Sequence, residues 1–302
     1  MKIYRVLLIL LCAISVQAAP RKVQVVTTTT DLADIAGEIG KDKIHVTSLS
    51  HGDQSGCNSV EPRPSMVMAA RAADLFVRIG LNYDSWADSL VDAARNSKIV
   101  FGAPGYVDAS VAIERLEVPR GKIDASMGHV HIYGNPHYWL DPENGKVMAD
   151  NILAGLIRVS PENRDYFTRN RDAYTRMLDE KIRRWHDALA PLKGSRIVSY
   201  HKSWEYFARR FGFTIVATIE PKPGIPPSAA HVNSLIEQLK PETGIIILHE
   251  NIYHVKSSHM IARETGARVA VLPIATGGMK GAAKSYAGLF DYITAVLTEQ
   301  QP

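Results

Sequence analysis

Residues 134–144, GNPHYWLDPEN, place one histidine, His137, in a short loop directly before a predicted helix. Asp141 can accept the first unpaired backbone N–H groups of that helix as its N-cap, and Pro142 suits the first helical position. His137 is therefore expected at a fixed place, and a rigid, uncharged imidazole is a good ligand for a transition metal. The alternative is a histidine that is solvated or packed in a turn.

Other metal-ligating side chains follow predicted strands, and these candidates are Cys57, Asn58, His201, His249 and Glu250. In an open parallel sheet, ligands bind outside the carboxyl ends of the strands. The imidazoles of His137 and His201 with the carboxylate of Glu250 form a donor set for Zn²⁺, and with more oxygen for Mn²⁺. The two rings should then lie within reach of one ion; rings more than a metal's reach apart, about 5 Å or beyond, or rings that face opposite sides of the molecule would contradict this. A capping or core role for His201 and a solvated Glu250 are the alternatives.

The elements that would position these residues alternate between strands and helices. Strands are predicted at 23–27, 44–47, 75–80 and 99–101 in the first half and at 196–200, 214–217, 245–248 and 269–272 in the second. This alternation is typical of βαβ units. The predicted fold class is α/β, with two lobes that each hold a mostly parallel sheet flanked by helices.

One long rigid helix is predicted to join the lobes. It starts at residues 160–163, and no Gly or Pro follows Pro161 before Ala190. The predicted face at helical spacing is Tyr166, Asn170, Tyr174, Met177, Lys181, Trp185 and Leu189. The predicted organisation is a signal peptide (1–18), an N-terminal α/β lobe (19–159), the connecting helix (160–191) and a C-terminal α/β lobe (192–302). An ordinary long surface helix is the alternative.

The N-terminus has the pattern of a secretory signal peptide. Lys2 and Arg5 precede a short apolar run at 6–14, and a cleavage site ends at Ala18. A periplasmic location is expected. The chain has 35 Lys and Arg against 31 Asp and Glu, and cleavage lowers the excess by two. This balance favours neither nucleic acid nor a membrane surface. Cys57 would be the remaining cysteine, so no internal disulfide is expected, and we expect a monomer.

The chain resembles the periplasmic metal-binding proteins of zinc and manganese ABC importers, the cluster A-I or TroA-like solute-binding family. The segments that carry the resemblance are VVTT and DLA at 25–33, VEPRPS at 60–65, NPHYWLDPEN at 135–144, YHKSWEYFA at 200–208, and Glu250 followed by a helix and TGA at 265–267. The block around His137 is the most specific. The resemblance implies two α/β lobes, a long connecting helix and a metal in the cleft between the lobes, delivered to an ABC importer permease.

Two positions depart from the family pattern. The place of the family's first histidine ligand is Asn58 here, and the place of its last, acidic ligand is Lys284. His137 and His201 therefore carry over directly. Asn58 offers a weak carbonyl oxygen, while the neighbouring Cys57 can offer a thiolate, which binds zinc well. Glu250 can supply charge compensation.

The leading hypothesis is a binding protein rather than an enzyme: it captures zinc, or alternatively manganese, and hands it to a permease. A secreted metal-dependent hydrolase would need an open coordination position and a general base such as Glu250 or Glu61. A family member with a changed ligand or a scaffold role is a third hypothesis. His129 and His131 precede the main motif and are either a loop that raises the local metal concentration or two solvated histidines.

Overall fold

A computed structural model describes residues 21–54, 60–119, 121, 131–280 and 284–299. The first half forms a parallel sheet of β1 (Val23–Thr27), β2 (Ile44–Ser48), β3 (Leu75–Arg78) and β4 (Tyr106–Asp108), in the order β2-β1-β3-β4. The second half forms a parallel sheet of β5 (Arg196–Ser199), β6 (Thr214–Thr218), β7 (Ile246–Glu250) and β8 (Arg268–Leu272), in the order β6-β5-β7-β8. The two sheets therefore share one strand order.

Helices flank both sheets. Those of the first half are α1 (Thr30–Gly40), α2 (Pro64–Ala72), α3 (Trp86–Ala94) and α4 (Pro142–Val159). The long helix is α5 (Arg164–Leu189), and α6 (Glu205–Phe211), α7 (Ala229–Leu239), α8 (Lys256–Thr265) and α9 (Tyr286–Glu299) follow. The first sheet with α1–α4 is the N-terminal lobe, and the second sheet with α6–α9 is the C-terminal lobe. The predicted fold class is confirmed.

Local sequence explains why these elements begin where they do. The side chain of Thr29 accepts the backbone N–H of Leu32 and caps α1. Asp141 caps α4 by accepting the N–H of Glu143, with Pro142 in the first helical position as predicted. All five residues of β7 are buried, as expected for a parallel strand covered on both faces.

The long helix α5 holds the two lobes to one hydrophobic core. It packs against α1 and α4 of the N-terminal lobe and against α9 of the C-terminal lobe. Its buried side chains are Phe167, Tyr174, Leu178, Ile182, Trp185 and Leu189. The same apolar cluster reaches Val25 in β1 and Ile197 in β5. Within the described residues, no helix is both long and apolar enough to cross a membrane.

The start and the face of the long helix differ from the prediction. Pro161–Asn163 form a 3₁₀ turn, and regular α-helix begins at Arg164. Phe167 and Ile182 are buried, whereas Tyr166 and Met177 of the predicted face are only partly buried. Tyr174, Trp185 and Leu189 of the predicted face are buried, but the buried surface extends beyond that face because two lobes cover the helix over more than one narrow stripe.

The predicted strand at 99–101 is wrong. Ile99 is buried in the outer apolar layer of the N-terminal lobe, but Phe101 is 87% exposed and pairs with no strand. The N–H of Gly105 bonds the carbonyl of Lys98 and closes a turn, and a Cβ at position 105 would lie 2.6 Å from that carbonyl oxygen. Pairing with β3 therefore begins only at Tyr106, after the turn.

Hydrogen bonds join the two lobes along a seam near the carboxyl ends of the strands. The buried Asp31 carboxylate of α1 accepts both the backbone N–H (2.9 Å) and the hydroxyl (2.7 Å) of Thr276, in the loop after β8. The Trp139 indole donates to the carbonyl of Ile274 at 2.8 Å, and the Tyr286 hydroxyl donates to the carbonyl of Trp139 at 2.6 Å. Helix α1 and the turn after His137 are thus hydrogen-bonded directly to the C-terminal lobe, through the loop after β8 and the start of α9.

Inside the N-terminal lobe, the Asp84 carboxylate lies between the ends of β1 and β3. Its Oδ2 accepts the Thr28 hydroxyl (2.6 Å) and the Ile79 N–H (2.7 Å). Its Oδ1 accepts the Gly80 N–H (3.2 Å) and the Arg78 Nε–H (3.0 Å). This fully buried carboxylate is therefore satisfied by both strand ends.

Candidate metal centre

His137 and His201 meet between the two lobes. His137 immediately precedes the 3₁₀ turn Tyr138–Leu140 that leads into α4, and His201 follows β5. Their ring centres are 5.3 Å apart with planes at 74°, and the residues are 3% and 5% exposed. A tetrahedral ion bound to two imidazole nitrogens at about 2.0–2.1 Å holds the ring centres roughly 5 Å apart. The separation of the ring centres is slightly above the limit of about 5 Å stated from the sequence, but the nitrogens that would bind an ion lie nearer to it than the ring centres do, so the arrangement has the dimensions of a two-histidine metal site.

Each imidazole is held by a hydrogen bond at Nδ1. Asn135 Oδ1 lies 3.0 Å from Nδ1 of His137 and also accepts the His137 backbone N–H at 3.0 Å. Glu220 Oε2 lies 2.6 Å from Nδ1 of His201. The second ring nitrogen of each histidine, Nε2, is not used by these bonds.

Aromatic side chains surround the pair and exclude water. The Tyr83 and Trp139 rings lie 5.8 and 5.3 Å from the ring of His137, and the Tyr253 ring lies 5.9 Å from that of His201. A water-poor surrounding of this kind strengthens the interaction of an ion with its ligands.

The two histidines differ in their electrostatic environment. Burial lowers the pKa of His137 well below its usual value, and the neighbouring rings of His201 and His131 lower it further. Burial also disfavours a charged His201, but the hydrogen bond to Glu220 and the charges of Glu250, Glu220 and Glu205 together raise the pKa of His201. His137 is thus held neutral, while His201 binds a proton more readily in the metal-free protein.

Glu250 ends β7 as a fully buried carboxylate next to His201. Its Oε2 accepts the His201 backbone N–H at 3.3 Å. Burial raises the pKa of Glu250 to about 7, an effect that the charge of His201 partly offsets. The carboxylate therefore lies where it can compensate the charge of a cation held by the two rings.

A polar network connects the loop of His137 to the loop of His201. The Asn135 side-chain amide donates to the carbonyl of Lys202 (2.9 Å), to Glu205 (3.1 Å) and to Glu117 (3.0 Å). Burial and the charge of Glu117 raise the pKa of Glu205 to about 7. The backbone next to His201 is thus hydrogen-bonded to Asn135, the side chain that orients His137.

The other candidate residues either fall outside the part of the chain that the structure describes or have partners elsewhere. Cys57, Asn58 and His129 lie outside the described residues. His249, the neighbour of Glu250 in β7, bonds Ser258 and the carbonyl of Tyr253 instead, so its nitrogens are used inside the C-terminal lobe.

Lys284 lines a cavity at the seam, whereas His131 lies near His137. Lys284 is exposed and lines a cavity of about 830 Å³ at the seam, together with residues such as Thr30, Asp34 and Thr276. His131 is partly buried, and its ring centre lies 6.3 Å from that of His137. The structure therefore brings one of the two histidines that precede the main motif close to the site.

Sequence reasoning missed Glu220, the partner of His201. It lies in the loop after β6, and no sequence motif marks it. The signal that could have found it is topological: β6 pairs with β5, so the residues after β6 lie beside the residues after β5. Among the described residues, no three His, Cys, Asp or Glu side chains form a ready-made metal cluster. Among the described residues, the candidate metal ligands that the structure brings together are therefore the imidazoles of His137 and His201.

The sequence profile described as "Zinc-uptake complex component A periplasmic" matches residues 25–300, nearly the whole chain. The chain belongs to this family. Its members are components of metal uptake, which favours transport over the hydrolase and scaffold hypotheses.

Three relatives of this chain have names that refer to three different metals. The chain is 25% identical over 279 residues to the iron-binding protein YfeA of Yersinia pestis, and the match covers 90% of this chain and 84% of YfeA. It is 25% identical to the high-affinity zinc uptake protein ZnuA of Bacillus subtilis (83% and 78% covered). It is 28% identical to the manganese transporter substrate-binding lipoprotein PsaA of Streptococcus pneumoniae (75% and 71%).

A zinc-bound crystal structure of a ZnuA deletion mutant has the same fold. The match has a TM-score of 0.76 at 26% identity and covers 93% of this chain and all of that one. The two-lobed architecture is therefore that of a solved zinc-binding member of the family.

Proposed function

We propose that the protein captures a divalent transition metal in the cleft between its lobes and delivers it to the permease of an ABC importer. Zinc is the first candidate and manganese the second. The observation that carries the proposal is the pair of buried imidazoles, His137 from the N-terminal lobe and His201 from the C-terminal lobe, with ring centres 5.3 Å apart. A cation between them is held by both lobes at once.

The charge distribution supports a divalent cation as cargo. His137 is kept neutral by burial, as a metal ligand must be. The Glu220 carboxylate contacts the ring of His201 and the Glu250 carboxylate accepts the His201 backbone N–H, so both offset the positive charge of an ion bound to this histidine. Binding and release are the only steps required, so no general base or nucleophile is assigned, and the protein is proposed not to be an enzyme.

Two imidazoles leave coordination positions open on a four-coordinate ion. We propose that the loop after β2 supplies a further donor, the Cys57 thiolate or the Asn58 carbonyl, and that Glu250 acts by charge. A thiolate would favour zinc over manganese, because soft sulfur ligands select zinc.

The location and organisation follow from the same proposal. Residues 1–18 would be removed on export to the periplasm, leaving lobes at 19–159 and 192–302 joined by the helix at 160–191. The mature protein would act as a monomer that meets the permease at the membrane.

The test is metal content and zinc titration of the mature protein, with His137→Ala, His201→Ala and the exposed-residue control His254→Ala. We expect stoichiometric zinc in the wild type and the control, and loss of tight binding in both site variants. Calorimetry gives the affinity and the stoichiometry. Stoichiometric tight zinc that survives both site substitutions would contradict the proposal.

A further inference from the structure

Glu220 is placed beside His201 by the sheet itself. After β6, the Ile219 N–H bonds the carbonyl of Ser199 (2.8 Å) and the Glu220 N–H bonds the carbonyl of Tyr200 (2.9 Å). Backbone pairing between the two chain segments therefore continues past the ends of β5 and β6. As a result, the Glu220 side chain starts next to His201, in a position that is 6% exposed.

The Glu220 carboxylate is itself fixed in orientation. Its Oε2 accepts the backbone N–H of Gly224 at 3.2 Å as well as contacting Nδ1 of His201 at 2.6 Å. Gly224 has a φ of +76°, a conformation that glycine adopts at little cost. The Gly224 N–H, in the turn after Glu220, thus holds the carboxylate in the orientation that contacts His201.

This contact determines which nitrogen of His201 faces the cleft. An ionised carboxylate is only an acceptor, so Nδ1 of His201 must carry the proton. In the neutral ring, the lone pair is then on Nε2. A carboxylate in this position also increases the basicity of the ring as a metal ligand.

His137 has a weaker partner. Asn135 Oδ1 accepts the His137 backbone N–H and so is the amide oxygen, which makes Nδ1 of His137 a donor as well. Both rings therefore present Nε2, but one is backed by a charged carboxylate and the other by a neutral amide.

We propose that Glu220 is a positioning residue that acts through His201 and makes His201 the anchoring ligand of the site, with His137 the more readily exchanged one. The proposal rests on the proposed function, since it assigns unequal roles to the two proposed ligands. Loss of an outer carboxylate partner lowers metal affinity by about 10- to 100-fold in comparable sites.

The test is a double-mutant cycle on zinc affinity with Glu220→Gln, His201→Ala and the combined variant. Glu220→Gln keeps the shape and removes the charge, and we expect about 10- to 100-fold weaker zinc binding. In the His201→Ala background, the same substitution should change the remaining affinity by less than about threefold, since its effect passes through the ring. Glu242→Gln, which removes a partly exposed carboxylate paired with Arg196, is the matched control and should leave affinity unchanged.

Wild-type affinity in Glu220→Gln, or an equal loss with and without His201, would overturn the proposal. The melting temperature of each metal-free variant separates a folding defect from a binding defect, because a purely structural role would lower that temperature without the cycle coupling. Glu220→Asp, which keeps the charge, should bind zinc more tightly than Glu220→Gln, and the reverse order would overturn the proposal.

Nitrogen NMR of His201 in the metal-free protein, above its pKa, tests the positioning role without any metal. We expect the tautomer protonated at Nδ1, and a ring protonated at Nε2 would overturn the assignment. If the wild type binds neither zinc nor manganese, the proposed function fails, and this measurement still reports on Glu220 alone.

Discussion

Asp141 has two structural roles that two substitutions can separate. Its Oδ1 accepts the Glu143 N–H as the N-cap of α4, and its two oxygens accept Nε (2.7 Å) and Nη2 (2.9 Å) of Arg210 on α6. Asp141 is fully buried, whereas the Arg210 side chain is 32% exposed. The pair therefore joins the loop that carries His137 to the C-terminal lobe.

Asp141→Asn keeps a good N-cap but removes the charge from the pair. Hydrogen bonds to charged groups contribute about 1.5–3 kcal/mol, and a partly exposed Arg210 can rehydrate, so we expect a loss of about 1–2 kcal/mol. Asp141→Ala also removes the cap, which adds about 1 kcal/mol. At roughly 2–4 °C per kcal/mol for a chain of this size, the melting temperature should fall by about 2–8 °C and about 4–12 °C, respectively.

The assay is thermal unfolding of the metal-free proteins followed by circular dichroism, with urea unfolding as a second probe. The control is Asp150→Asn, which weakens an exposed pair with Arg171 and should change stability by no more than about 0.5 kcal/mol. Equal losses for Asp141→Asn and Asp141→Ala would refute the separate cap contribution. Losses no larger than that of the control would refute the whole account of this pair.

Two further predictions concern proton release and packing. Because the pKa of His201 is raised, zinc must displace its proton, and the affinity measured by calorimetry should fall by about tenfold per pH unit from this group as the pH drops below that pKa; an affinity that does not change with pH there would contradict this. His137, whose pKa is lowered, should be unprotonated near pH 7 in the metal-free protein, and nitrogen NMR that shows its imidazolium form at that pH would contradict this. Gly145→Ala places a Cβ 2.4 Å from the buried ring of Tyr286 and should cost about 1–3 kcal/mol in unfolding free energy, only partly offset by helix propensity. Gly37→Ala, in α1 with no atom within 4 Å of the added Cβ, should stabilise by about 0.5–1 kcal/mol, and equal effects of the two substitutions would contradict the packing argument.

Much of the fold could be predicted because its elements are encoded locally. β-Branched strands such as β1 and the capped start of α4 at Asp141 depend on residues that are neighbours along the chain. The strand at 99–101 was wrong because a turn closed at Gly105 decides where pairing starts, and an apolar triplet does not reveal it. The face of α5 was partly wrong because it depends on how two lobes cover the helix.

The two histidines of the candidate site could be named from the sequence, whereas the residues that hold them in place could not. His137 and His201 stand in recognisable motifs, so their nomination needed no coordinates. Glu220 stands in no motif, and its role depends on β6 lying beside β5, a property of the strand order. The roles of Cys57 and Asn58 stay predictions.

The two sheets have the same strand order, but the Asp84 carboxylate makes the crevice at the strand ends of the N-terminal lobe different from that of the C-terminal lobe. In a sheet of this strand order, the gap between the first and third strands is where chain connections diverge and where an outside molecule can enter. In the C-terminal lobe this gap lies between β5 and β7, and His201 and Glu250 border it. In the N-terminal lobe the equivalent gap holds the Asp84 carboxylate, whose two oxygens are hydrogen-bonded to residues at the ends of β1 and β3 and which is paired with Arg78. The C-terminal gap also holds a buried carboxylate, that of Glu250, but here its neighbour is a histidine rather than an arginine. Two sheets of the same strand order thus place different chemistry in the same crevice, and of these two carboxylates the one in the C-terminal lobe stands beside an imidazole.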